Sequence, residues 1–109
     1  MKLQELHCRP RVLPLGEEEL AVYLSYLPLW VVRDGFLRRG FRFPNYAATI
    51  RFVNAVAMLA EAEDHHPELH VGYGTVEVCW NTHSVRGISE NDVICAAKVE
   101  NLCVPDAAV

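Results

Sequence analysis

The chain has 109 residues, 51% of them apolar and 22% charged, with 14 acidic against 10 basic side chains and a formal net charge of −4. That length and apolar share suit one domain around one core and leave no room for a second. The acidic balance, with Arg33, Arg38, Arg39, Arg42, Arg51 and Arg86 scattered, argues against nucleic acid as a partner, and no apolar run approaches the roughly 20 residues of a membrane span. Cys8, Cys79, Cys95 and Cys103 form no C-x-x-C pair, and the start M-K-L-Q-E-L-H-C-R-P lacks the apolar run of a signal peptide, so the expectation is a reduced, cytoplasmic protein.

Residues 16 to 27 place acids in a first turn and Leu20, Tyr23, Leu24 and Leu27 at helical spacing until Pro28, which predicts a short helix. L-W-V-V-R-D-G-F-L-R-R-G-F-R-F predicts two strands around an Asp34-Gly35 turn, with Leu37, Phe41 and Phe43 facing one way and Arg38, Arg39 and Arg42 solvating the strand. After Pro44, Asn45 can cap a long helix with Tyr46, Ile50, Val53, Ala57 and Ala60 on its buried stripe. Pro67 disfavours helical geometry at His66, so the helix is expected to end about His65. Glu61, four residues earlier, then shares a face with His65 and can hydrogen-bond to it.

A second hairpin follows across Gly72-Tyr73-Gly74, a connection that reads as loose. In T-V-E-V-C-W-N-T-H, Val76, Val78 and Trp80 take one face, Glu77, Cys79, Asn81 and His83 the other, and His83 closes the strand. Trp80 and Tyr73 read as packing residues. Ser89-Glu90-Asn91-Asp92 has the capping-box pattern, with Ile88 and Val93 as a hydrophobic staple, for a last helix to about Cys103; the tail P-D-A-A-V carries no element. The order α-β-β-α-β-β-α predicts an α+β fold, a four-stranded antiparallel sheet with helices on one face. A sheet edge, or the last helix through Cys95, Val99 and Leu102, could pair subunits.

Histidine titrates near neutrality, so one copy can act as acid and another as base, and three of the five histidines gather at His65, His66 and His83. Exposed polar turn residues are the plainer reading of the same pattern. A zinc set drawn from His65, His66, His70, His83, Cys79 and Glu61 is disfavoured: Pro67 breaks the helical spacing a ligand pair would use, and no cysteine pair completes it. No metal is expected.

Together, E-x-x-x-H-H-P-E at 61 to 68, Tyr73, T-H at 82 to 83 and G-I-S-E-x-D at 87 to 92 resemble the signature of the pterin-4a-carbinolamine dehydratase family. The resemblance covers 61 to 92 closely, extends back to about Phe41, and thins over the first 35 residues. It implies one dehydratase-like domain over residues 1 to 109 that removes water from 4a-hydroxytetrahydropterin, as in tetrahydrobiopterin recycling, with a pterin as substrate and no cofactor. By the same resemblance His65 and His83 are the acid/base pair, His66 orients the pterin, Glu61 holds His65, and Thr82 and Asp92 support the site, although a capping box alone would explain an acid at 92. Leu69 stands where the family usually has tryptophan, which removes an aromatic wall near the substrate. The resemblance also implies a homodimer or homotetramer. Its alternative is a non-catalytic binding module, since similar proteins act as a transcription-factor dimerisation cofactor or in Rubisco assembly.

Overall fold

The computed structural model describes residues 2–102; Cys103 and the tail P-D-A-A-V lie outside the described residues. Three glutamates open α1 (Glu17–Leu24), where they oppose the helix dipole, and Gly16 N–H donates to Glu19 Oε1 at 3.2 Å. The helix stops at Leu24, short of Pro28: the Ser25 hydroxyl donates back to Val22 C=O, and the following turn buries Leu27. β1 (Val31–Arg33) and β2 (Phe36–Arg42) meet at Asp34 and Gly35, with φ of 54° and 81°, the left-handed pair that a two-residue hairpin turn requires.

Asn45 Oδ1 accepts from Ala48 N–H at 2.8 Å and starts α2 (Tyr46–Glu63). β3 (Glu68–Val71) and β4 (Thr75–Trp80) form the second hairpin, and α3 (Glu90–Asn101) closes the expected order α-β-β-α-β-β-α. The strands lie in the order β1-β2-β4-β3, every neighbour antiparallel. Two short 3-10 turns, Leu3–Glu5 and His83–Val85, were not legible in the sequence.

The register pairs Leu37 with Trp80, Arg39 with Val78 and Phe41 with Val76 on the face that α2 and α3 cover. Buried side chains of α2 are Thr49, Phe52, Val56 and Ala60; of the expected stripe Ala60 is buried, while Tyr46, Ile50, Val53 and Ala57 are not. The helix is apolar on most sides, so periodicity could not choose a face; Phe52 does, by packing its ring at a tilt 4.7 Å from that of Phe41 and 5.0 Å from that of Phe43. Gly74 is needed for closeness rather than looseness, since a Cβ there would lie 2.8 Å from Phe43 O. Arg39 does not solvate its strand: its side chain is 9% exposed, lies over Phe41 and pairs with Glu100, which also accepts from Trp30 Nε1 at 2.7 Å. Tyr73 is surface, stacked on Tyr46. Cys95 and Val99 are buried inside this chain, so that stripe of α3 is already used and is not free to pair subunits.

The N-terminal segment is strapped across the ends of α2 and α3. Cys8 N–H donates to Glu63 Oε1 at 2.7 Å, the His7 ring lies 2.9 Å from Glu63 Oε2, and Arg9 and Asn91 exchange two hydrogen bonds of 3.0 and 2.8 Å. Burial pushes the Glu63 carboxyl up, but the Cys8 N–H, His7 and Lys98 outweigh it and hold it below its ordinary 4.5. A carboxyl depressed in the folded state stabilises fully above its unfolded value and loses that contribution as pH falls through the folded one. Glu63→Gln is therefore expected to be less stable than wild type at pH 7 and to flatten the acid side of the stability curve, measured by urea unfolding between pH 7 and 3.

Candidate active site

Asp64 ends α2 in left-handed backbone, φ 50°, which aspartate tolerates better than most residues, and His65 N–H reaches back to Ala60 C=O at 3.2 Å. The helix thus stops two residues before the expected His65, and the left-handed turn re-aims the chain. His65 turns inward, its side chain 13% exposed, while His66 stays outside at 55%. Glu61 accordingly contacts His66, Oε2 to Nε2 at 2.5 Å, and not His65.

The partner of His65 is Asp92, Nε2 to Oδ1 at 2.6 Å, and Asp92 is fully buried. Its other oxygen, Oδ2, accepts from the Thr82 hydroxyl at 2.7 Å and from Ser89 N–H at 2.8 Å. The Thr82 hydrogen is committed to Asp92, so the Ser89 hydroxyl, 2.6 Å away, must donate to Thr82 Oγ1, and Ser89 Oγ in turn accepts from Asn91 N–H at 3.1 Å. Every bond runs toward the carboxylate. Asp92 therefore caps α3 and holds a histidine at once, where the sequence left the two as alternatives. Because Asp92 only accepts, His65 Nε2 carries hydrogen, and its Nδ1 has no hydrogen-bond partner among the described residues.

Trp80 supplies the wall behind His65, the two rings 5.6 Å apart and 9° from parallel. It faces the core, as the alternation predicts, yet it is also a neighbour of this histidine, which β-strand periodicity cannot show. Its Nε1 is buried with no partner among the described residues. β4 ends at Trp80, so His83 is not a strand residue but opens the turn His83–Val85, held by a Thr82–Gly87 bridge and by Arg86 at φ 52°. His83 is exposed and follows Thr82 in the chain, but among the described residues no hydrogen bond joins its side chain to the His65–Asp92–Thr82 set. Leu69 lies opposite Val78, half-buried against the core. A cavity of about 410 Å³ lined by Arg9, Arg11, Pro14, Glu19 and Glu90 includes none of these residues.

This layering of helices on one face of a four-stranded antiparallel sheet is the fold of solved pterin dehydratase structures. One from Brucella melitensis, described as a transcriptional coactivator/pterin dehydratase, aligns with a TM-score of 0.78 and 32% identity over 84% of this chain and 99% of that one. Another, described as a pterin dehydratase-like RuBisCO assembly factor of the alpha-carboxysome, aligns at 0.56 and 27% over 67% and 84%. A relative from Xylella fastidiosa, provisionally named pterin-4-alpha-carbinolamine dehydratase, is 48% identical over 92% of this chain and 90% of its own. One from Xanthomonas oryzae with the same name is 49% identical over 92% and 89%. The family model for pterin 4 alpha carbinolamine dehydratase matches residues 13–102, and the chain belongs to that family.

Removing the Asp92 carboxylate would strand three donors in a dry place. Asp92→Ala is expected to lose about 3 kcal/mol or more of stability, against about 1 kcal/mol for Asn45→Ala at an exposed cap, in urea unfolding of the two variants side by side.

Proposed function

We propose that the protein is a 4a-hydroxytetrahydropterin dehydratase working by histidine acid/base catalysis, as in tetrahydrobiopterin recycling. The observation that carries the reading is the buried Asp92 holding His65 by one nitrogen against the face of Trp80. A ring fixed on one edge and one face has lost most of its rotamer freedom, which is what a proton-transfer group needs.

In the reaction the C4a–O bond breaks, the departing hydroxide takes a proton to become water, and the N5 lone pair forms the new C=N bond as N5 loses its own proton. One proton is given and one is taken, so an acid and a base suffice. His65 would exchange its proton through Nδ1, with Nε2 kept on Asp92; His83, exposed beside Thr82, would serve as its counterpart. His66, braced by Glu61, would orient the ring system at the rim.

Stopped-flow dehydration of chemically prepared 4a-hydroxytetrahydropterin tests this, following the quinonoid product. Wild type is expected to accelerate product formation, and the His65→Ala, His83→Ala double variant to lose that acceleration while keeping the wild-type circular dichroism. Equal rates for wild type and a folded double variant would overturn the assignment. A second reading, a binding module without catalysis, draws support from the neighbours described as a coactivator and as an assembly factor; it requires that folded wild type give no acceleration at all.

A further inference from the structure

The sheet face turned away from the helices carries a cluster that the histidine site does not use. His70 of β3 is directly opposite Glu77 of β4, and Cys79 lies two residues further along the same face. One donor atom from each, an imidazole nitrogen, a carboxylate oxygen and the sulfur, all fall within 4.8 Å of one another. We propose that His70, Glu77 and Cys79 form a binding site for a divalent transition metal of the zinc class.

Three mixed N, O and S donors are a set that Zn²⁺ accepts, with a fourth, tetrahedral position left to water. The space for that water is present. Gly40 pairs with Glu77 across the sheet, nothing lies within 4 Å of where its Cβ would be, and the hollow continues as a cavity of about 230 Å³ lined by Gly40, Arg42, His70, Thr75 and Glu77. Glu68, 3.7 Å from the His70 ring, can orient that imidazole from outside the donor set.

The cluster already attracts a cation. Arg38 Nη1 lies between Glu77 Oε1, at 3.2 Å, and Cys79 Sγ, at 3.7 Å, and Arg33 adds a second guanidinium 3.4 Å from Glu77 Oε2. A metal takes over the Arg38 position, and the guanidinium, anchored by its Nε on Arg33 C=O at 3.0 Å, swings outward. Both arginines and Arg42 oppose a metal by charge, while Glu68 and Glu77 favour it. Binding also requires the thiol to release its proton to solvent, from a group that burial and Glu77 push up to about 11. These costs set a moderate affinity and make Arg38 its regulator.

The test is titration of the intact chain with Co²⁺, the coloured stand-in for zinc. A one-to-one sulfur-to-cobalt charge-transfer band with tetrahedral visible bands is expected, with Zn²⁺ displacing both. Cys79→Ser should abolish the charge-transfer band and His70→Ala, at an exposed position that leaves the fold intact, should weaken binding; Arg38→Met should tighten it. Cys8→Ser, Cys95→Ala and Cys103→Ser serve as controls that keep the band. Absence of the band in wild type, its survival in Cys79→Ser, or indifference to His70→Ala overturns the site. Because the cluster and His65 lie on opposite faces of β4, none of these readouts depends on whether the protein dehydrates a pterin.

Discussion

A buried carboxylate has to be compensated, and the arrangement around Asp92 is what that requirement produces. Three donors from three segments converge on it: His65 from the end of α2, Thr82 from the loop after β4, and the Ser89 amide at the start of α3. Without these donors together a charge would stand in a dry interior, at a cost comparable with a large share of a small domain's stability; with one removed, two still hold it. The loop from Trp80 to Ser89 is therefore not free to wander. Its Thr82–Gly87 bridge and left-handed Arg86 fold it tightly enough to bring Thr82 and Ser89 to the same oxygen, and His83, the first residue after Thr82, begins the turn between them.

β4 divides the molecule's chemistry between its two faces. Toward the helices it presents Val76, Val78 and Trp80, which build the core and, at Trp80, the back of the histidine site. Away from them it presents Glu77 and Cys79 to the arginines of β1 and β2. Period-two alternation makes this separation automatic, since one residue's step along the strand exchanges one environment for the other. Arg39 is the exception that confirms how strictly the alternation rules. Its place in the register puts it on the core face, so the fold accommodates the guanidinium over Phe41 and beside Glu100 rather than turning the strand.

Much of this was legible in the sequence wherever local chemistry decides the outcome. Asp34-Gly35 can form little but the tight turn observed, Asn45 and Ser89 announce their helices, and the alternation from Val76 to Trp80 fixed which side chains point inward. The failures share a cause. Which face of α2 is buried, which acid takes which histidine, and where His83 sits all depend on contacts between distant segments, and periodicity within one element carries no record of its neighbours. The Glu61–His65 pairing was reasonable on a continuous helix, but a single left-handed residue, Asp64, rotates His65 inward to Asp92 and leaves His66 for Glu61. Likewise His70, Glu77 and Cys79 have no meaningful spacing along the chain and meet only through strand pairing.

The N-terminal strap carries a practical consequence. Cys8 is tied to Glu63, two residues before His65, and Arg9 to Asn91, the residue before Asp92. The first nine residues, which hold the least of the family signature, thus brace both ends of the histidine–aspartate contact from behind. A change in those residues would be felt at His65 and Asp92, whereas the same alteration on the tip of the β1–β2 hairpin would leave that contact untouched.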